Sequence, residues 1–119
     1  MKLLLENLPP SLVPQRETLR RCLEAMNAAL PFQQVILFGS HARGEARPDS
    51  DVDLCIVSEG ADRQLVAAQQ WRGAMWSLRP FLSFSLVPIT PQRLVEKREH
   101  GDDFFDTVIS EGLPLATKD

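Results

Sequence analysis

From Asp51 to Val57 the chain alternates strictly, with Asp51, Asp53 and Cys55 on one side and Val52, Leu54 and Ile56 on the other. A period of two over that length specifies a strand with one face committed to a core. The other face carries two carboxylates two residues apart, with alpha carbons ~6.6 Å from each other. Two like charges on one face repel, and they are costly to desolvate unless a cation joins them. The strand therefore has to lie in a sheet that is covered behind and open, polar or cation-bound in front.

The rest of the chain supplies the covering layer. Leu19, Cys22, Leu23, Met26 and Leu30 recur at helical steps between Pro14 and Pro31, and Pro31 stops that helix. Val35-Ile36-Leu37-Phe38 reads as a strand running directly into Gly39-Ser40, and His41 to Glu45 reads as a short helical segment. Ala46 to Ser50 is a polar loop, in which Ser50 braces the entry to the aspartate strand. Ala61 to Leu78 predicts a helix with Leu65, Ala68, Trp71, Met75 and Leu78 inward. Phe81 to Ile89 predicts a third strand, and Pro88 places it at an edge or at its own end. Thr90-Pro91 is a helix start, Gly101 a break, and Asp102 to Ser110 a last helix ended by Gly112. Leu113 to Lys118 adds a small extended piece.

This order gives an α+β fold: a small mixed sheet with helices packed on one face, the other face lining a cleft. A chain of 119 residues has room for one core. Residues 1–13 read as a loosely packed leader and 14–119 as the single domain. The formal net charge of −3 argues against a general nucleic-acid binder, although Arg43 and Arg47 allow a local basic spot. Lys2 and Leu3-Leu4-Leu5 resemble the start of a signal, but Glu6 and Pro9-Pro10 end the apolar run. No stretch approaches the ~18 apolar residues of a membrane span. Cys22 and Cys55 fall in helical and strand patterns without a Cys-x-x-Cys, and read as small buried hydrophobes in a reducing, cytoplasmic setting.

Two features carry chemistry. Gly39-Ser40 stands at a strand-to-helix junction, where a glycine permits a tight turn and the first helical N–H groups face outward to cradle phosphate oxygens. Asp51 and Asp53 are hard oxygen donors suited to Mg²⁺ shared with substrate phosphates. Each alone also fits an ordinary turn or a solvated edge strand. Together, with the turn ending the preceding strand, they point to a nucleotide-phosphate site.

The run Gly39-Ser40-His41-Ala42-Arg43-Gly44, followed by Ser50-Asp51-Val52-Asp53-Leu54, resembles the signature of the nucleotidyltransferase superfamily that includes polymerase beta and kanamycin nucleotidyltransferase. It is similar in particular to the minimal nucleotidyltransferase (MNT) subfamily, a single small domain often paired with a helical HEPN-domain protein in toxin–antitoxin systems. The Thr90-Pro91 start and the Phe104-Phe105…Ile109…Glu111-Gly112 ending extend the likeness to about residues 15–116. The resemblance implies that Gly39 and Ser40 hold the β- and γ-phosphates of a nucleoside triphosphate such as ATP. It implies too that Asp51 and Asp53 are the catalytic, Mg²⁺-ligating pair, moving an adenylyl group to a protein or RNA hydroxyl. Arg43 either neutralises the triphosphate or packs on the loop, while His41 reads as a surface histidine. The chain departs from the pattern on the next strand, where active members carry a third carboxylate. Here that stretch offers Ser83 and Ser85, and counting back from Thr90-Pro91 favours Ser85. Glu59 and Asp62 are the nearest other acids along the chain. The expectations are therefore a Mg²⁺-dependent nucleotidyltransferase, or a non-catalytic nucleotide-binding antitoxin of a helical partner. A purely structural module would leave both motifs unexplained. A small domain with little material to surround an acceptor also implies a partner or self-association.

Overall fold

The structure, a computed structural model, describes residues 1–119. Its elements are β1 (Lys2–Leu3), α1 (Arg16–Ala29), β2 (Gln34–Phe38), α2 (Gly39–Ala42), β3 (Val52–Val57), α3 (Gln64–Met75), β4 (Phe84–Ile89), α4 (Pro91–Glu99), α5 (Asp103–Glu111) and β5 (Leu113–Thr117). The strands form one mixed sheet in the order β1-β5-β2-β3-β4. Only β3 and β4 run parallel; the other pairs are antiparallel. The α+β class and the mixed sheet follow the sequence reading.

Behind the sheet, α1 and α3 bury Leu19, Cys22, Leu23, Met26, Ala67, Trp71 and Met75 against Val35, Leu37, Val52, Leu54 and Ile56. Trp71 is wholly buried, and its indole N–H donates to the Leu30 carbonyl at 2.9 Å. Burial of each such side chain contributes ~1.5–3 kcal/mol. Of the expected α3 stripe Trp71, Met75 and Leu78 pack inward, but nearer its start Ala67 rather than Ala68 does so and Leu65 is exposed. The expected helix of 61–78 is shorter because 3-10 turns at Glu59–Asp62 and Trp76–Leu78, not α-helix, flank α3.

The N-terminal residues also depart from the expectation of loose packing. Leu5, Leu8 and Leu12 are buried in the main core, and β1 pairs with β5. The tail, expected as a small extended piece, is β5 and lies inside the sheet between β1 and β2. Where α5 hands over to β5, a Cβ on Gly112 would sit 2.2 Å from the Val108 carbonyl oxygen and 2.3 Å from Ile36. The absence of a side chain is what allows that approach.

Helices cover the back of the sheet as expected, and part of the front is covered as well. Residues paired across strands share a face, so the front is built of rows: Phe38, Asp53 and Ser85; then Ile36, Cys55 and Val87; then Gln34, Val57 and Ile89. Phe105 and Val108 of α5 form a second core with Ile36, Cys55, Val57 and Ile89. The Asp53 row lies beyond this cover. β4 is the outer strand, and Pro88 sits near its end, where Gln64 donates to its carbonyl at 2.8 Å. A proline there has no N–H to leave unpaired at the sheet edge.

Candidate functional site

The site is assembled where β2 ends. Phe38 is extended, and Gly39 turns the chain into α2 with φ +77°. That left-handed conformation favours glycine. Space imposes the same choice, because a Cβ on Gly39 would lie 2.1 Å from Asp53 Oδ2. The Gly39 backbone and the Asp53 carboxylate are thus in direct apposition. The first-turn amides of α2 have no intrahelical acceptor and are available to an anion.

Asp53 lies between Phe38 on one neighbouring strand and Ser85 on the other. Asp51 stands just before β3 and is exposed. The Asp53 carboxyl is held above the ordinary carboxylate range by burial and then by the charge of Asp51; His41, Arg43 and the Ser85 hydroxyl act in the opposite direction. Phe38 meets Phe104 edge to face with centroids 5.6 Å apart, and Phe104 meets Phe105 likewise at 5.0 Å. These rings wall the site on the α5 side.

Ser50 braces its loop, accepting from the Arg47 N–H at 2.8 Å. His41, expected at the surface, is buried. Its Nδ1 is 2.8 Å from Ser11 Oγ, and its Nε2 is 3.5 Å from the Ser50 carbonyl oxygen. The ring thus links the N-terminal segment to the loop entering the aspartate strand. Sequence spacing gave no sign of this, because Ser11 lies outside both motifs. Arg43 pairs with Glu45 at 3.2 Å and Glu111 at 3.6 Å, both at exposed side chains. These two acids hold its guanidinium, and its charge still reaches Asp53.

Ser85 faces Asp53 in register, and Ser83 lies one side-chain repeat earlier on the approach to β4. Glu59 and Asp62 are on the 3-10 turn after β3, at the far end of a strand ~20 Å long. They are out of reach of Asp53 and do not replace an acid at Ser85. Nowhere do three or more His, Cys, Asp or Glu side chains gather into a metal-binding group. Two carboxylates of hard oxygen, beside a turn able to hold phosphate, still fit a Mg²⁺ that takes its other ligands from water and substrate phosphates. A cation there would offset the burial and the Asp51 charge that together raise the Asp53 carboxyl.

The family profile of the nucleotidyltransferase domain matches residues 19–115. That range covers most of the chain, including the Gly39-Ser40 turn, both aspartates and Ser85. The chain belongs to the nucleotidyltransferase domain family. No curated protein is similar enough to the chain to be matched with it. No helix is long and apolar enough to cross a membrane.

Proposed function

We propose that the protein transfers a nucleotidyl group, adenylyl from ATP, to a hydroxyl of RNA or protein in a Mg²⁺-dependent reaction in the cytoplasm. The observation that carries this reading is the apposition of the Gly39 backbone and the Asp53 carboxylate, which supports a phosphate-binding role for the turn. In this reading the Gly39-Ser40 turn holds the β- and γ-phosphates, and Arg43 adds positive charge nearby. Asp51 and Asp53 hold the cation and orient the α-phosphate for in-line attack, which releases pyrophosphate. Mg²⁺ held by Asp51 and Asp53 would supply charge stabilisation to the phosphates.

A second reading is favoured by the serine opposite Asp53. A neutral hydroxyl is a poor base, so the protein would bind nucleotide without efficient transfer and act as the antitoxin of a helical, HEPN-type partner or of a self-assembled complex. Incubation with α-labelled ATP, Mg²⁺ and either cellular RNA or a purified helical partner separates the two. Label appearing in the acceptor supports transfer. Saturable nucleotide binding with no label in any acceptor supports the regulatory reading, and absence of both overturns the site.

A further inference from the structure

His41 and Ser58 are the buried polar residues of the chain, and Ser58 is accounted for by its bonds to the Pro31 carbonyl and the Gly60 N–H. His41 stands in α2 directly after Ser40, and both nitrogens of its ring are engaged. A carbonyl oxygen only accepts, so the Nε2 that faces the Ser50 carbonyl at 3.5 Å carries the hydrogen. The Ser11 hydroxyl can donate or accept, and it serves Nδ1 at 2.8 Å in either charge state of the ring. Ser11 is itself fixed. Leu12 beside it is buried in the main core, and the Leu12 N–H donates to the Pro9 carbonyl at 2.9 Å. The ring is therefore anchored through Nδ1 and presents its Nε2–H to the loop.

What the ring holds there bears on the site. Ser50 ends the loop that leads into β3; its N–H donates to the Arg47 carbonyl at 3.0 Å, and its hydroxyl accepts from the Arg47 N–H at 2.8 Å. Its carbonyl has no donor other than His41. The next residue is Asp51, which precedes β3 and is paired with no strand. One residue further, the Val52 N–H donates to the Ser83 carbonyl at 2.8 Å. The backbone around Asp51 is thus held from two sides, by His41 and by Ser83. Asp53, by contrast, is fixed within the ladder between Phe38 and Ser85. Of the two carboxylates, only Asp51 depends on the histidine.

We propose that His41 is a positioning residue: its Nε2–H holds the Ser50 carbonyl and so sets the backbone from which Asp51 meets a cation. Because His41 belongs to α2, the phosphate turn and the loop carrying Asp51 are tied to each other through one side chain. Partners that orient a metal ligand typically contribute about 10- to 100-fold in metal affinity. What Asp51 is positioned for rests on the nucleotidyl-transfer reading; the tie between His41 and the Asp51 backbone does not. A histidine that merely fastened the N-terminal segment would act through Nδ1 alone, so the two nitrogens separate the two roles.

Two substitutions exploit that separation. An asparagine amide reaches about as far as Nδ1 and a glutamine amide about as far as Nε2. His41→Asn therefore keeps the Ser11 contact and loses the Ser50 one, whereas His41→Gln can donate to the Ser50 carbonyl again. ATP is titrated by calorimetry into the full chain with and without Mg²⁺, and amide exchange over residues 47–52 is followed without nucleotide or metal. His41→Asn should lose about tenfold in the Mg²⁺-dependent gain of ATP affinity. Exchange over 47–52 should quicken by about fivefold or more in the same variant. His41→Gln should restore both to within about threefold of the natural protein. Natural behaviour in His41→Asn, or a loss in folded His41→Gln as large as that in His41→Asn, overturns the proposal. Where His41→Asn does not fold, His41→Gln decides: retention of the gain and of slow exchange upholds the proposal, and loss of both overturns it. A natural protein with no Mg²⁺-dependent gain would count against the nucleotide reading, and the exchange measurement then decides the role of His41 alone.

Discussion

Asp53 and Cys55 occupy the same face of β3, one repeat apart, yet meet opposite environments. The Cys55 row lies under Phe105 and Val108, and burial pushes its thiol up to about 12. The Asp53 row lies beyond α5, next to the Gly39 turn. One strand face thus holds a dry core at one end and a carboxylate pair at the other. The boundary is set by how far α5 reaches. A helix that covered the whole face would have made the aspartates untenable, since unpaired buried carboxylates cost several kcal/mol.

Moving a charge across that boundary should have the largest effect. Cys55→Asp places a carboxylate under α5 without a partner and should cost about 4 kcal/mol or abolish folding; urea denaturation of the variant measures it. A stable Cys55→Asp protein would mean that the front core is not dry. Gly39→Val attacks the boundary from the other side. Its Cβ would collide with Asp53 in a backbone region that β-branched residues avoid, so a loss of about 3 kcal/mol is expected, together with loss of ATP binding. Ser40→Ala, which keeps the backbone turn, should be milder in both measurements.

Ser85→Asp sharpens the comparison by adding a third acid to the open row. ATP binding should change little, while the initial rate of label transfer should rise by about tenfold or more. A Ser83→Asp variant checks the register and should do less, because Ser85 and not Ser83 opposes Asp53. A natural protein already active and unimproved by either change would indicate that the third acid is dispensable here.

The smallest effect concerns pH. The Asp53 carboxyl lies above its usual range in the fold, so the protonated form favours folding and ionisation opposes it. The stabilising contribution of the bound proton is fully present below the ordinary carboxylate range and is lost as pH rises through the folded value. Metal-free Asp53→Asn, which cannot ionise, should therefore melt about 2 °C above the natural protein at pH 7, with the gap closing toward pH 3. A constant gap across that range would remove ionisation as its cause.

Much of this was readable along the chain because the informative residues are local. The alternation of Asp51 to Val57, the Gly39 junction, the Thr90 cap and the edge position of Pro88 each follow from spacing within a few residues. Thr90 Oγ1, for example, accepts from the Arg93 N–H at 3.2 Å, as an N-cap should. What escaped depends on long-range contact. His41 looked exposed because its partners, Ser11 and the Ser50 carbonyl, come from other segments. Residues 1–13 looked loose because the strand that anchors β1 is at the opposite terminus. The second cover over the sheet was hidden because α5 shows one apolar stripe, and periodicity does not say which face that stripe meets. Glu59 and Asp62 looked near Asp53 in sequence, but a strand carries them to the other end of the sheet.

The central claim is that Asp51 and Asp53, beside Gly39, form a Mg²⁺-nucleotide site at the uncovered end of β3. Calorimetric titration of ATP into the natural protein, Asp51→Asn and Asp53→Asn, each with and without Mg²⁺, tests it most directly. The natural protein should bind ATP at least about tenfold more tightly with Mg²⁺, and each substitution should remove most of that gain, since the amide keeps the shape and loses the anionic ligand. Equal Mg²⁺ dependence in all three proteins would contradict the account.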